Sequence, residues 1–326
     1  MRIQIRHTPE QQNGVKLARQ FVEETLIPNL KGIECNKIIT VLLGGSNAKN
    51  LNNSRSDLDL TLYYNTSIEN LVKFNRKTLT VHNLKQLKQE REQVFYEWDG
   101  LEVELGIHPW RRIGQGFDLA GALHSNNTKT LHDWVHHYPV YTSEDYKLID
   151  NFIKGPNYEW SLDLIVGYTQ GYATSQLLMH KRRIDYADRE RTAINKNDIT
   201  PVIKHIMNGL YIGLSGLYLL DNVAVSRDFL KLWQYYEHNF SKEEQEFVYD
   251  AWRRKTDLEH EPVSIGQYIQ VAADLRVSIF TKIKDLFITS TKDALENKRF
   301  NEHIDRAKND KELDILQEKI LFGRTS

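Results

Sequence analysis

The segment that most constrains this chain is an alternating run, Asp57-Leu58-Asp59-Leu60-Thr61-Leu62-Tyr63, that follows a buried-type run and a glycine turn. Side chains alternate across a strand, so Leu58, Leu60 and Leu62 need a core on one face. Asp57, Asp59 and Thr61 then share the other. Upstream, Ile38-Ile39-Thr40-Val41-Leu42-Leu43 is β-branched and apolar on both faces, the pattern of an interior strand. Gly44-Gly45-Ser46 breaks it, and a polar stretch from Asn47 to Ser56 forms a loop. A sheet with carboxylates on one face is therefore set early in the chain.

A second strand pair follows. Val94-Phe95-Tyr96-Glu97-Trp98 is joined to Leu101–His108 by Asp99-Gly100, a strong hairpin signal. The second of these alternates too: Leu101, Val103, Leu105 and Ile107 on one face, Glu102, Glu104 and His108 on the other. Helices are expected around Ile68–Phe74 and Leu84–Glu92, between the strand regions. Thr8-Pro9 opens a helix that Pro28 ends. Beyond Pro109 the strand signals fade. Leu162–Met179, Val202–Leu220, Phe229–Tyr236, Glu243–Trp252 and Ile265–Phe287 have helical length and period, and a charged tail from Asn301 to Ile320 follows. The expectation is an α+β protein: a small mixed-sheet domain over residues 1–145, then a mainly helical domain over 146–326 that closes the cleft. The boundary is marked by Pro139 and Gly155-Pro156.

The chemistry follows from spacing. Asp57 and Asp59 lie about 7 Å apart along one face of a strand. Close carboxylates raise one another's pKa unless a cation sits between them. Oxygen donors of this kind suit Mg²⁺ or Mn²⁺, and a metal held between carboxylates and phosphates stabilises phosphoryl or nucleotidyl transfer. Gly44-Gly45-Ser46 lets the backbone approach a phosphate, with free N–H groups and the Ser46 hydroxyl to bind it. Glu102 or Glu104 supplies a third carboxylate if the hairpin strand lies beside 57–63. Both are on the same face, so spacing does not choose between them.

Here the sequence resembles the polymerase-β-like nucleotidyltransferase superfamily, whose pattern is Gly-Ser, a loop, then Asp-x-Asp in an α/β core. Gly45, Ser46, Asp57 and Asp59 match. Within it, the chain is similar to nucleotidyltransferases linked to an RNA repair pathway in phages and bacteria. Asn127-Thr128-Lys129-Thr130-Leu131 with Pro139-Val140-Tyr141, and Lys204–Leu220 with Phe229-Leu230-Lys231-Leu232, resemble later segments of that family. The resemblance implies a metal-dependent transferase of an NMP from an NTP, ATP foremost, to an RNA (tRNA) end. Gly44, Gly45, Ser46, Asn47, Ser56 and Lys204 would hold the nucleotide. The family's usual arginine after Gly-Ser is Asn47 here, and its glycine four residues after the serine is Asn50, a residue that tolerates left-handed backbone. A glutamate after the Asn segment is replaced by His132. Glu102-Val103-Glu104 with Pro109-Trp110-Arg111-Arg112 is also similar to aminoglycoside nucleotidyltransferases. A protein partner or a small molecule therefore stands as an alternative acceptor.

Other features have plainer readings. The net charge is −1, which argues against a protein that coats nucleic acid, though not against a local RNA site. Lys181-Arg182-Arg183 with Arg189 and Arg191 is interrupted by Asp185, Asp188 and Glu190, so a solvated helix face is favoured. Arg111 and Arg112 read as surface arginines. His136 and His137 read as packing or exposed residues, while His108 shares the acidic face. The aromatics from Trp233 to Trp252 read as core. Cys35, the one cysteine, excludes an intrachain disulfide and a Cys-based zinc site. Met1–Arg6 has no signal-peptide core, and the longest apolar run, Gly209–Leu220, is too short for a bilayer. A cytoplasmic protein is expected, in the host cytoplasm if phage-encoded.

Overall fold

In this computed structural model the described residues are 4–6, 12–31, 37–52, 56–65, 80–90, 93–109, 136–155, 160, 162–189, 200–256, 265–300 and 315–316. A short strand, β1 (Gln4–Arg6), precedes helix α1, which runs over Gln12–Gln20, a π-turn at Phe21–Leu26 and a last turn at Ile27–Asn29 that contains Pro28. Strands β2 (Leu30–Lys31), β3 (Ile38–Leu43), β4 (Leu58–Tyr64), β5 (Thr80–Val81), β6 (Lys85–Glu90), β7 (Gln93–Trp98), β8 (Leu101–Pro109) and β9 (Tyr138–Thr142) follow. The rest is mainly helical: α2 (Glu144–Ile153), α3 (Leu162–Arg189), α4 (Thr200–Asn222), strand β10 (Ala224–Ser226), α5 (Phe229–Tyr236), α6 (Lys242–Thr256) and α7 (Ile265–Glu296). This is an α+β protein.

Six strands form one mixed sheet in the order β6-β7-β8-β4-β3-β9. Strands β4 and β8 are parallel; the other neighbours are antiparallel. The alternation read from the sequence decides what each face meets. Leu58, Leu60, Leu62, Val103, Leu105 and Ile107 enter one apolar cluster with Phe21, Val22 and Leu26 of α1. There the Phe21 ring meets Trp98 edge-on at 5.1 Å. Ile39, Leu42 and Tyr63 point the other way and join the larger cluster built by the helices. Within that cluster α4 is the central rod, buried without interruption from Gly209 to Leu220. A helix apolar all round is what a core position demands. β1 pairs in parallel with β10, so the beginning of the chain is tied to the turn between α4 and α5.

The hairpin signal is realised between β7 and β8. Asp99 (φ 48°) and Gly100 (φ 77°) both take left-handed backbone, the twist that a two-residue turn between antiparallel strands requires. One element differs from expectation. The helix expected over Leu84–Glu92 is the edge strand β6, paired antiparallel with β7. Lys85-Gln86-Leu87-Lys88-Gln89-Glu90 favours helix by local propensity, but Leu87, its sole apolar residue, is 41% exposed and offers no helical face to bury. Pairing with β7 wins, and the two lysines guard the open edge. The helix expected at Ile68–Phe74, the N-cap at Thr8, Cys35, the Asn127–Leu131 segment, His132, Arg111 and Arg112 lie outside the described residues. So does most of the 301–320 tail.

Helices α6 and α7 are joined through one carboxylate. Ser241 and Glu244 form a reciprocal cap: the Ser241 N–H donates to Glu244 Oε2 at 2.7 Å and the Glu244 N–H to Ser241 Oγ at 3.3 Å. Ser278 Oγ and Lys282 Nζ of α7 each donate to the same carboxylate at 2.5 Å. These donors hold the Glu244 carboxyl down at about 2, against a burial effect that pushes it up. Glu244→Gln is expected to cost about 2 kcal/mol in urea unfolding at neutral pH. A depressed carboxyl stabilises above its unfolded pKa and loses that contribution as pH falls toward the folded value. The gap between wild type and variant should therefore narrow steadily from about pH 4.5 to about pH 2.

Candidate active site

Every residue of β3 is buried, and the strand delivers the chain to a turn at its C-terminal end. The Gly44 N–H donates to the Asp59 carbonyl at 2.7 Å, which locks the turn against β4. Gly45 has φ +60°, and a Cβ there would lie 1.5 Å from Asp59 Oδ2. Backbone handedness and the neighbouring carboxylate both require glycine. The turn then coils over residues 45–50, with Ala48 N donating to Gly44 O at 3.2 Å and Leu51 N to Ser46 O at 3.1 Å.

Three ties fix this loop. The buried Asn47 amide donates to the Asp57 carbonyl at 2.7 Å, so Asn47 holds the first aspartate's backbone. Asn50 takes φ +56°, as its asparagine identity suggested, and its Nδ2 reaches Asp228 Oδ2 at 3.4 Å. The Phe229 N–H donates to the Lys49 carbonyl at 3.1 Å. The loop is thus anchored to β4 on one side and to the start of α5 on the other.

Parallel pairing of β4 and β8 sets Asp59 opposite Glu104. Because Leu58, Leu60, Val103 and Leu105 all point into the core, Asp59 and Glu104 share the opposite face, with Asp57 just ahead of the strand. One carboxylate oxygen from each of Asp57, Asp59 and Glu104 lies within 4.8 Å of the others. Gln93 Nε2 of β7 donates to Glu104 Oε1 and holds it from behind. Glu102 lies two residues nearer the start of β8, exposed and opposite Glu97. Register, rather than face, separates the two glutamates that the sequence left open.

The electrostatics are those of crowded acids. Burial, then Asp57 and Glu104, push the Asp59 carboxyl up to about 7, with Lys204 and Lys49 opposing. Burial and Asp57 push Glu104 up as well. Lys49 is buried and its ammonium lies 5.4 Å from the centre of the Tyr211 ring. Burial lowers it to about 8; Asp59 works the other way, while Lys204 and Lys255 add to the fall. Lys255 of α6 is lowered by burial and by Lys204. Lys204 is exposed on α4, and its charge reaches both Asp59 and Glu104. Tyr172 of α3 is raised by burial and then by the Asp59 charge.

Of the residues singled out in the sequence, Asp57, Asp59, Glu104, Gly44, Gly45, Ser46 and Lys204 converge here, and Ser56 directly precedes the first aspartate. Lys49, Lys255 and Tyr172 were not foreseen. Lys255 ends an Arg-Arg-Lys run in a last helical turn, where basic residues normally complement the helix dipole. Lys49 follows the Gly-Gly-Ser turn by three residues, the one local hint available. His108 sits beyond the cluster on the same face, its ring 5.7 Å from Tyr63. His136 packs between Tyr168 and Tyr211, with Nδ1 3.3 Å from the Tyr211 hydroxyl. Trp233 and Tyr236 are core residues, while Tyr235 is exposed.

No family model matches this chain, and no curated protein matches it. Among solved structures it is similar to a nucleotidyltransferase-like protein from Exiguobacterium sibiricum, over 95% of this chain and 88% of that one, at 10% identity and a TM-score of 0.28. A superposition that loose establishes neither a shared fold nor a shared activity, so the functional reading rests on the site. No helix among the described residues is long and apolar enough to cross a membrane.

Proposed function

We propose that this chain is a metal-dependent nucleotidyltransferase that moves an NMP from an NTP, ATP foremost, to an acceptor hydroxyl. Residues 1–145 form the catalytic unit and 146–326 the helical unit that closes over it. The observation that carries the reading is the cluster of Asp57, Asp59 and Glu104 beside the Gly44-Gly45-Ser46 turn. The donor set fits Mg²⁺ or Mn²⁺: three hard oxygen ligands from neighbouring strands, with Asp59 pushed up to about 7 by burial and by the repulsion of Asp57 and Glu104. Bound there, a divalent cation supplies charge stabilisation to the phosphates and lowers the pKa of an acceptor hydroxyl.

The protein's own groups do the rest. Ser46 and the N–H groups of the turn bind the β- and γ-phosphates, with Lys204 facing them from α4. Asn47 orients Asp57 through its backbone. The acceptor oxygen forms its bond to the α-phosphorus as the bond to the β-phosphate oxygen breaks, and pyrophosphate leaves. The hydroxyl proton passes to the Glu104 carboxylate and then to water.

An RNA end, such as that of tRNA, is the acceptor we favour, on the resemblance of the Gly45–Asp59 loop length, of Asn127–Leu131 with Pro139-Val140-Tyr141, and of Lys204–Leu220 with Phe229–Leu232 to the RNA-repair family; a protein hydroxyl or a small molecule is the alternative. The test is to incubate the protein with Mg²⁺ or Mn²⁺, each α-³²P-labelled NTP and total RNA, beside an Asp57→Asn/Asp59→Asn control. Label on RNA that the control loses is expected. Label that appears only on a protein or a small molecule would move the acceptor; equal labelling by the control would sink the mechanism.

A further inference from the structure

Helices α3 and α7 lie over α4 in opposite directions, and three glycines of α4 mark how closely. A Cβ on Gly216 would strike Thr169 of α3 and lie 2.9 Å from Phe287 Cζ of α7. A Cβ on Gly209 would lie 3.5 Å from Gln176 Cβ of α3 and 3.1 Å from Phe280 Cζ of α7. Both helices therefore close on α4 at these two levels. At Gly213, between them, only α7 comes near among the described residues, with Ile283 Cγ2 at 3.1 Å. Ala173, too small to cross the gap, lines it from α3. The result is a cavity of about 590 Å³, floored by α4 and walled by α3 and α7. That volume lies inside the range of roughly 300–1,000 Å³ in which small molecules bind. The cavity is separate from the carboxylate cluster: Tyr168 and Tyr172 occupy another stripe of α3, packed on one another and on His136.

The walls of the groove are apolar, with Leu177, Phe280, Ile283 and Phe287 beside Ala173. Leu178 and Val277, which also line it, are 53% and 59% exposed. Contiguous apolar surface left to water marks a place where something binds. The charged groups among the described lining residues are Arg276 and Lys284, both cations and both on α7. An apolar trough with positive charge along one wall is complementary to a molecule with an apolar body and one anionic group. A multiply charged phosphate would leave the apolar walls bare, and a neutral hydrocarbon would leave the cations unused. The lining residues of α7 run from Arg276 to Phe287, about 16 Å of helix, which suits a linear body rather than a compact one. We propose that the groove between α3 and α7 binds a free medium-chain fatty acid. Its acyl chain lies against Ala173, Phe280 and Ile283, and its carboxylate at Lys284, within a positive field that Arg276 extends. This site is independent of the transferase reading.

The test is calorimetric titration of the full chain with sodium decanoate, below its micelle concentration, at low salt and neutral pH. One saturable site per chain is expected. Lys284→Met should weaken it about fivefold, as loss of an exposed charge pair does, and Arg276→Met by less. Lys284→Arg, which keeps the charge, should retain most of the affinity, and exposed Lys147→Ala on α2 should leave it unchanged. Thr174→Trp places an indole in the groove from an exposed position and should abolish binding with little change in Tm. Decanol, the same chain without the charge, should bind about fivefold more weakly to wild type and equally to Lys284→Met. Absence of decanoate binding, decanol binding as tightly as decanoate, or binding indifferent to Thr174→Trp overturns the proposal. So does self-association in sedimentation that Val277→Asp abolishes and decanoate does not disturb, since the face would then belong to a second copy of this chain.

Discussion

Asp59→Asn is expected to lower nucleotidyl transfer by roughly 10³-fold or more while making the metal-free protein more stable. The two effects have one cause. Asp59 is held against Asp57 and Glu104 by the register of β4 and β8, an arrangement that, on the proposed reading, serves a bound cation. Without it, the Asp59 carboxyl sits at about 7 in the folded protein against 3.8 for the free group. The folded state then binds more protons than the unfolded state between those values, so stability falls as pH rises through that window. In EDTA the wild-type Tm should fall from pH 5 to pH 8, and the variant should fall less. Saturating Mn²⁺ should flatten the wild-type profile and leave the variant little changed. A variant less stable than wild type throughout this range would show that Asp59 serves the fold rather than a ligand.

Gly45→Ala is the second large effect. The added methyl carbon would lie 1.5 Å from Asp59 Oδ2, so the turn or the aspartate must move. Left-handed backbone adds about 1 kcal/mol for a residue with a Cβ. A loss of about 2 to 3 kcal/mol of stability is expected, with transfer reduced at least as far as in Asp59→Asn, since the turn and the carboxylate are displaced together. Asp59→Asn/Gly45→Ala should be no less active than Asp59→Asn alone by more than a few-fold, because both changes spoil one unit. Chemical denaturation and the α-labelled transfer assay read the two halves of this expectation.

These effects concern residues that the sequence exposes well, and the reason is local. The alternation in 57–63 and 101–108 reflects a sheet with one face in a core, and the Asp99-Gly100 turn carries its own handedness. Gly45 next to Ser46 marks a turn that only glycine can make. What escaped was non-local. Glu104 is separated from Glu102 by the parallel register of β4 against β8, which nothing in either segment encodes. The strand β6 defeats helix propensity because β7 offers partners and its own residues offer no apolar face. Lys49 and Lys255 carry no signal in sequence, because their burial comes from how the loop and α6 pack in the folded chain. Pro139-Val140-Tyr141, noted for its resemblance, is part of the edge strand β9, which pairs with β3.

On the proposed reading, Asp57, Asp59 and Glu104 hold divalent metal for a bound nucleotide. Its most direct test is an electron paramagnetic resonance titration with Mn²⁺, using the full chain and a non-cleavable α,β-methylene ATP analogue. The free Mn²⁺ signal is expected to be taken up to about two ions per chain only when the analogue is present. Asp57→Asn/Asp59→Asn and Glu104→Gln should lose most of this uptake while remaining folded. Uptake that is absent in the wild type, or that survives in all these variants, would contradict it.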